Sequence, residues 1–358
     1  MLLFTAFLIA SVVAQNTATF EELAARAAAA RQADDVPQAL QLYRQSVNLN
    51  PKWEEGWWFL GSMLYDSDRY AEGGDALQHV VALDPKAAPA WALLGLCEFE
   101  TGDYAHSLDH IQRGLAPGSP SPQMEEVLRY HEALLLTHSG RFSEAIEKYT
   151  WFARKGVQNP DLLVGIGLAV LQSPKFPNDV RSEQERYAIA GSAAFLNMNG
   201  DFRNAQMTYR KLVEQYPEAP YVHYAYGCFL LGTNPEAGIQ ELRRELAINP
   251  ASAPANAMLA FALLERGDAA AALTPAKAAA DEQPNSELSQ YVLGRALAEQ
   301  GNLGSGIQHL EIAEKIDPAD LQPHISLATA YSRAGRPQDS RRERIRAVAI
   351  ATGASPIR

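Results

Sequence analysis

The feature that most constrains this chain is a sequence period of about 34 residues. Prolines recur at this interval outside one central gap; they are Pro51, Pro85, Pro217, Pro250, Pro284 and Pro318. Glycines in short polar turns keep the same interval toward the C-terminus, at Gly267, Gly301 and Gly335. Between these markers apolar residues follow helical spacing, with almost no strand-like alternation. Each period therefore predicts a helical hairpin, and the whole chain an all-α fold.

Within one period, large apolar residues surround a glycine. If Glu54 is position 1, positions 4, 7, 8, 11, 24 and 32 hold Trp57, Leu60, Gly61, Leu64, Leu77 and Pro85. The next period repeats the pattern with Trp91, Leu94, Gly95 and Ile111. This resembles the tetratricopeptide repeat, a helix-turn-helix with Trp-x2-Leu-Gly-x2-Tyr, then Ala-x3-Phe and a Pro. The resemblance implies a right-handed superhelical solenoid of stacked antiparallel helix pairs. In each pair the large residues fill the space around the close contact at position 8.

Nine such repeats are predicted. Repeats 1 to 4 occupy residues 20–159 and repeats 5 to 9 occupy residues 186–352; they begin at residues 20, 54, 88, 126, 186, 220, 253, 287 and 321. Residues 160–185 lie outside the period and are predicted to form an apolar helix followed by a polar, proline-containing loop. This insertion is either a hinge or partner-specific protrusion, or a degenerate repeat that packs in line.

Composition and motifs exclude several functional classes. The net charge of −11 disfavours nucleic acid as a partner, because protein affinity for nucleic acid comes largely from neutralising its phosphates. No nucleophile elbow, phosphate-binding loop or zinc-protease motif is present, so we expect no enzymatic activity and no cofactor. His106 and His110 are one helical turn apart, but two ligands do not make a zinc site, and no metal is predicted. Cys97 and Cys228 lie three repeats apart and are predicted to stay unpaired.

In the family that the repeats resemble, the first helix of each repeat lines the concave side of the stack. Positions 2, 5, 9 and 12 of that helix form one stripe. The predicted partner-binding residues on this stripe are Trp58, Tyr65, Phe99, Tyr130, Tyr187, Tyr221, Tyr224, Phe261, Tyr291 and Arg295. Exposed aromatic residues of this kind commonly mark contact sites. The alternative is that adjacent inner helices cover these rings, so that the stripe belongs to the core.

Polar residues appear on the same stripe near its end. Glu265, Arg295, Glu299 and Arg333 form either a charged end of the groove or a solvated face. The family's clamp for a peptide carboxylate needs Lys, Asn and Arg there, whereas this chain has residues such as Trp58 and Ser62, so that binding mode is not supported. The arginine-rich helix from Arg341 onward is either a polar cap on the stack, or a site for an acidic partner or anionic membrane.

The N-terminus resembles a secretory signal. Residues 2–13 are an uncharged apolar run, and small residues precede a polar segment, which predicts cleavage near Ala14. The run is too short to span a bilayer as a helix, and we expect no transmembrane segment after its removal. The alternatives are a short apolar helix packed on repeat 1 or an uncleaved interfacial anchor. A cleaved signal would make the protein periplasmic or secreted.

Together these features predict a non-catalytic scaffold or adaptor that binds a protein or peptide on its concave surface. Its general form resembles exported bacterial tetratricopeptide-repeat proteins. Two other functions remain open from the sequence. The aromatic stripe could receive a small apolar ligand or lipid, or the protein could be an accessory subunit of an enzyme that docks through residues 160–185.

Overall fold

The computed structural model describes residues 18–115 and 121–353, which form nineteen α-helices, one short 3₁₀ segment and no β-strand. The chain divides between Leu135 and Leu136 into two compact bodies, which we call the N-terminal and C-terminal bodies. In the described part of the chain, no helix is long and apolar enough to cross a bilayer. The predicted signal segment, residues 1–14, lies outside the described residues.

The N-terminal body consists of consecutive antiparallel helices. They are α1 (Phe20–Gln32), α2 (Val36–Leu49), α3 (Glu54–Asp66), α4 (Tyr70–Leu83), α5 (Ala88–Thr101) and α6 (Tyr104–Gly114), and α7 (Pro122–His138) begins here. Helix α1 packs on α2, α3 on α4 and α5 on α6, and the pairs join through contacts between α2 and α3 and between α4 and α5. Two helices per period confirm the predicted hairpins.

The C-terminal body continues the pattern. Its helices are α8 (Phe142–Lys155), α9 (Pro160–Val170), α10 (Gln184–Met198), α11 (Phe202–Gln215), α12 (Val222–Leu231), α13 (Pro235–Ile248), α14 (Ala253–Glu265), α15 (Ala269–Glu282), α16 (Glu287–Glu299), α17 (Leu303–Ile316), α18 (Leu321–Arg333) and α19 (Pro337–Thr352). From α10 onward, first and second helices of a repeat pair in order, and each second helix contacts the next first helix. One apolar cluster, which includes Leu242, Leu263, Leu293 and Leu310, runs through these repeats.

The turn between paired helices requires a left-handed backbone residue. Gly102 and Gly301 take positive φ there, and in the first two repeats Asp34 and Asp68 do the same without a glycine. The next residue is often Asp or Asn, whose side chain accepts the N–H three residues later, as Asp268 does from Ala271 at 3.0 Å. The turn glycines therefore end one helix, and the residue that follows begins the next.

The prolines of the period do more than end helices. Each of the six backbone carbonyls accepts a hydrogen bond from the side chain six residues later, at position 4 of the next repeat. The donor–acceptor pairs are Trp57–Pro51, Trp91–Pro85, His223–Pro217, Asn256–Pro250, Gln290–Pro284 and His324–Pro318, at 2.8–3.2 Å. The sequence pattern treats position 4 as a large space-filling residue. In these six repeats, what the occupants of position 4 share is an N–H donor, which satisfies a carbonyl at the end of a helix.

Helix α9, the predicted extra helix, is an integral part of the C-terminal body. It packs on α10 and α8, and Leu162 to Val170 are buried except for Leu163. Gly167 faces the backbone of Tyr187, and Gly191 faces the backbone of Leu163, so α9 and α10 meet with nothing between them. The rest of the insertion is a loop that contains the 3₁₀ segment Pro177–Glu183. Gly167 and Gly191 thus lack the Cβ atoms that would keep α9 and α10 apart, which explains two glycines at helical positions.

Both cysteines are free thiols, as the sequence predicts. Cys97 is buried in α5. A Cβ added at Gly73 of α4 would lie 3.3 Å from its sulfur atom, so the cysteine side chain occupies the space beside that glycine. Burial raises the pKa of both Cys97 and Cys228 to about 12. Each thiol therefore stays protonated at neutral pH and serves as a small packing group.

Candidate peptide-binding surface

The first helices of neighbouring repeats lie side by side and form one layer of each body. In the C-terminal body, α10 contacts α12, α12 contacts α14, α14 contacts α16, and α16 contacts α18; in the N-terminal body, α3 contacts α5. The sequence places the partner-binding stripe on the solvent-facing side of these first helices.

In the N-terminal body the predicted aromatic residues are half-buried. Trp58, Tyr65 and Phe99 pack against the core cluster around Leu94. Tyr65 meets Tyr70 edge-on with ring centroids 5.6 Å apart, and burial raises the pKa of Tyr65. Tyr130 is also half-buried, with the ring of His131 5.8 Å away. These side chains show part of each ring to solvent and do not form a bare aromatic patch.

In the C-terminal body two of the predicted rings lie in the core. Tyr187 is 4% exposed and Tyr291 is 2% exposed, which differs from the sequence expectation. The guanidinium of Arg186 covers the Tyr187 ring, and the Tyr187 hydroxyl lies 3.3 Å from Ser173 Oγ in the insertion loop. For these two positions the alternative interpretation holds, since neighbouring segments cover the rings.

Tyr221 and Tyr224 are held by a buried carboxylate. The backbone N–H groups of Tyr221 and Tyr224 donate to the two oxygens of Glu245, at 2.8 and 3.2 Å. Tyr221 has φ of 66°, a rare conformation for a bulky residue, and it caps α12. Burial raises the pKa of Glu245, while the two N–H groups favour its charged form. This capping fixes where both half-buried rings lie at the start of α12.

One concave feature of the layer is a groove between α14, α16 and α18, which we call the α16 groove. Its volume is about 300 Å³. It is lined by Glu265, Tyr291, Arg295, Ala298, Glu299, Leu310, Gln322, Ile325, Ser326, Thr329, Ala330 and Arg333. Tyr291 and Ala298 are buried there, whereas Ile325 is 45% exposed. The groove therefore contains one exposed aliphatic side chain, Ile325, together with polar side chains from α14, α16 and α18.

The predicted Arg295 organises the polar side of the groove. Its guanidinium donates to Glu265 at 2.6 Å, to Glu299 at 2.8 Å and to the Tyr291 hydroxyl at 3.2 Å. The predicted charged residue Arg333 donates to the carbonyl of Ala298 at 2.8 Å. Glu265, Arg295, Glu299 and Arg333 are thus brought together, and the arginine that links three partners is held in one orientation. Phe261, the remaining predicted residue, is half-buried in α14 against the core.

A second cavity was not anticipated from the sequence. It lies in the N-terminal body between α2, α3 and α4, has a volume of about 310 Å³, and includes Arg44, Trp57, Glu72 and His79 in its lining. His79 stacks on Trp57 with centroids 4.0 Å apart, and Arg44 pairs with Glu72 at 2.5 Å. The sequence feature that could have revealed this cavity is Trp57 at position 4 together with His79 in the same repeat. The repeat pattern assigns position 4 to the core, so this feature did not indicate a cavity.

Two groups of side chains have the residue types of a metal site. In the described ranges, Glu314, His324 and Glu343 bring potential ligand atoms within 4.8 Å of one another. Arg342 and Arg346 already pair with Glu343, and Arg346 also pairs with Glu314, so the carboxylates are neutralised by arginine. His106 and His110 instead turn Nδ1 toward Asp103 and Glu98, at 2.8 and 2.7 Å. Both arrangements have the character of ion pairs.

Glu287, the first residue of α16, provides a test of buried charge. Burial, with Asp320 and Asp317 nearby, raises its pKa to about 7, and one carboxylate oxygen is buried without a hydrogen bond. A carboxyl group whose pKa is higher in the folded state than in the unfolded state lowers the stability of the fold as it ionises. For Glu287 this loss develops as the pH rises from 4.5, the ordinary pKa of the group, to about 7. We expect Glu287→Gln to increase the free energy of unfolding by roughly 1–2 kcal/mol at pH ~8, after allowance for partial solvent screening. At pH ~4 the gain should vanish, because the carboxyl is then protonated in both states.

Urea unfolding of both proteins at the two pH values measures this effect. Glu54→Gln is the matched control, since Glu54 holds position 1 of its own repeat, as Glu287 does, and is exposed. An equal effect of Glu287→Gln at both pH values would contradict the assignment of a raised pKa.

Comparisons with known proteins agree with the repeat pattern. Two models of the tetratricopeptide repeat match the chain: one over residues 24–88, 64–122 and 257–320, the other over residues 190–219. Together they span more than half of the sequence. No curated protein matches the chain.

Solved structures of repeat proteins align with slightly less than half of the chain. A crystal structure of MamA aligns with 20% identity and a TM-score of 0.40, over 45% of this chain and 95% of that one. MamA from Desulfovibrio magneticus RS-1 aligns with 16% identity and a TM-score of 0.42, over 47% and 96%. YrrB, described as a TPR protein with an unusual peptide-binding site, aligns with 16% identity and a TM-score of 0.40, over 49% and 91%.

The family assignment rests on the matched segments and on the helix pairs themselves. Matched residues fall in both bodies, and the matched ranges coincide with paired helices such as α3 with α4 and α16 with α17. The chain therefore belongs to the tetratricopeptide-repeat family.

Proposed function

We propose that this protein is a non-catalytic interaction scaffold that binds a peptide segment of another protein in the α16 groove. Repeat stacks of this family present extended surfaces for protein binding, and this general role follows from the family. The observation that supports the specific site is the combination of exposed Ile325 with a fixed Arg295 in one groove.

The chemistry of the groove suits a peptide. Main-chain N–H and C=O groups of a bound segment need hydrogen-bond partners, and Gln322, Ser326 and Thr329 offer them along one wall. Ile325 offers apolar area to one side chain of the segment. Because Glu265 and Glu299 already hold Arg295, little side-chain entropy is lost on binding. Four charged groups in the lining make the groove a poor receptor for a lipid or other apolar ligand.

The proposed role is non-catalytic because the reactive groups of the groove are already used. Arg295 is shared between two carboxylates, and the Tyr291 hydroxyl accepts a hydrogen bond from it. The lining of the groove contains no Cys, His or Lys.

We further propose that the scaffold acts in the periplasm or outside the cell. The support is the apolar N-terminal run with a small-residue site near Ala14. N-terminal sequencing of the protein purified from its own cells tests this. A mature chain that begins near Gln15 agrees with the proposal, and a chain in the cytosolic fraction that retains the run contradicts it.

Substitution of Ile325 tests the groove. We expect peptides selected from a phage-displayed library of random 12-residue sequences against the full chain to lose at least ~10-fold in affinity for Ile325→Glu, equivalent to ~1.4 kcal/mol. The reason is that a buried carboxylate replaces the apolar contact. Ile316→Glu is the matched control, because Ile316 is 42% exposed, close to the 45% of Ile325, but lies on second helix α17.

Fluorescence anisotropy with the selected peptides and circular dichroism of the variants provide the measurements. Peptides that bind wild type and Ile325→Glu equally, with both proteins folded, would show that the groove is not the binding site.

A further inference from the structure

The outer face of α19 differs from the same face of α17, the second helix of the preceding repeat. We define this face as Arg341, Arg344, Ile345 and Val348, which lie on one stripe of the helix and are all exposed. One period earlier, α17 has Ile307, Leu310, Glu311 and Glu314 at these places, and α18 packs against that helix. The outer face of α19 is therefore the surface on which a further first helix would lie.

The pattern of polarity is reversed between the two helices. Ile307 and Leu310 are 5% and 0% exposed in α17, and arginines take their places in α19. Glu311 and Glu314 give way to Ile345 and Val348, which are 49% and 63% exposed. A helix face that is open to solvent needs only polar residues to be soluble. Two aliphatic side chains at positions that are glutamate one repeat earlier are not explained by capping.

Among the described residues, the two arginines of this face have no acidic partner. In the described part of α19, Arg342 and Arg346 pair with Glu343, and Arg342 also pairs with Asp339. Arg341 and Arg344 form no ion pair with any described residue. The face thus combines the aliphatic side chains of Ile345 and Val348 with two guanidinium groups that no described residue pairs with. A binding partner with carboxylates opposite these guanidinium groups would complement the face.

We propose that the outer face of α19 docks an acidic amphipathic helix of a partner protein. The packing of α18 on α17 gives the geometry. The two helices are joined by a four-residue loop and run antiparallel, and the Tyr331 hydroxyl donates to Glu311 at 2.6 Å. On α19 the place of Glu311 is taken by Ile345, so the docked helix places an apolar side chain there. Its carboxylates reach Arg341 and Arg344, where α18 meets Ile307 and Leu310.

A second copy of the same chain fits this face poorly. The helix that begins the repeats, α1, is as long as α18 and would continue the stack. Aligned with α18, α1 places Arg26 where α18 has the buried Leu327. Arg26 would then approach the arginines of α19, and like charges at a contact disfavour it. The occupant is therefore a different, acidic helix.

The test uses the full chain and two synthetic peptides of about 16 residues. Both have the same leucine and alanine pattern at helical spacing, with Glu at all flanking positions in one and Lys in the other. We expect the acidic peptide to bind at least ~10-fold more tightly than the basic one at low salt, and to weaken as salt is added. The Arg341→Glu/Arg344→Glu double variant should prefer the basic peptide, because the charges are exchanged.

A control variant separates this site from general charge. Arg203→Glu/Arg243→Glu makes the same charge change at exposed arginines of α11 and α13, which have no ion pair among the described residues, and should keep the preference for the acidic peptide. Equal binding of the two peptides to wild type would overturn the proposal. Two other outcomes would also overturn it. One is α19-dependent binding to phosphatidylcholine/phosphatidylglycerol vesicles without a peptide preference. The other is self-association that Ile345→Glu/Val348→Glu abolishes.

Discussion

Gly191→Ala is expected to destabilise the C-terminal body by ~3 kcal/mol or more, because overpacking against a rigid neighbour has no cheap relief. An added Cβ would lie 1.7 Å from the carbonyl oxygen of Leu163 in α9. The clash is with backbone, so no change of rotamer removes it, and α9 and α10 must move apart. That movement opens space along α9, where Ile166 and Leu168 are completely buried.

Gly304→Ala is the matched control for this substitution. Gly304 lies in α17, is exposed, and has no atom within 4 Å of an added Cβ. Here the same change should increase the free energy of unfolding by ~0.5–1 kcal/mol, because alanine loses less backbone entropy in a helix. Urea unfolding followed by far-UV circular dichroism measures both variants. If the two substitutions shift stability in the same direction, close contact between α9 and α10 is not what requires glycine at position 191.

The sequence predicts the fold well because its signals are local. A turn glycine such as Gly301 and a proline such as Pro284 act within a few residues, so the period locates helix ends without knowledge of the neighbours. The all-α class and the repeat family are confirmed on this basis. The first two repeats show the limit of the glycine signal, since Asp34 and Asp68 take the same left-handed conformation.

The candidate site was harder to predict because burial depends on neighbouring segments. Tyr187 and Tyr291 lie on the stripe that periodicity assigns to the surface, yet both are buried. Tyr187 is covered in part by Arg186 and the insertion loop, which no repeat rule describes. Arg295 was identified because its charge stands out on an apolar stripe. Ile325, the exposed apolar residue of the same groove, gave no such signal.

Position 4 shows a different failure of pattern reading. Trp, His, Asn and Gln appear unrelated when they are compared by size, and they share only an N–H group that reaches the proline carbonyl. In repeats 6, 8 and 9 the residue at position 4 also pairs with the second helix of its own repeat. His223 contacts Glu241, Gln290 contacts His309, and His324 contacts Glu343. The unit of stabilisation is therefore a pair of residues, which a position-by-position profile does not record.

The second large effect that we expect is the loss of stability when one member of such a pair, His324 with Glu343, is replaced. His324 and Glu343 are 2% and 0% exposed, and Nδ1 of His324 lies 2.9 Å from Glu343 while Nε2 lies 3.2 Å from the carbonyl of Pro318. Glu343→His removes the carboxylate from a buried pair and should lower the free energy of unfolding by ~3 kcal/mol or more, since a buried partner is left unpaired. Equilibrium unfolding in urea gives the value.

The His324→Gln/Glu343→His double variant should recover most of that loss. It copies Gln290 and His309, which hold the same two positions one repeat earlier and contact each other at 2.7 Å, while Gln290 donates to Pro284 at 2.8 Å. Arg342 and Arg346 lose a carboxylate in the double variant, but both are nearly half exposed and water can replace it. A double-mutant cycle should therefore give a coupling energy of ~1.5 kcal/mol or more between the two positions. If the double variant loses as much free energy of unfolding as the two single variants lose in sum, positions 4 and 23 act independently. The recurrence of bonded pairs along the stack would then have no energetic meaning.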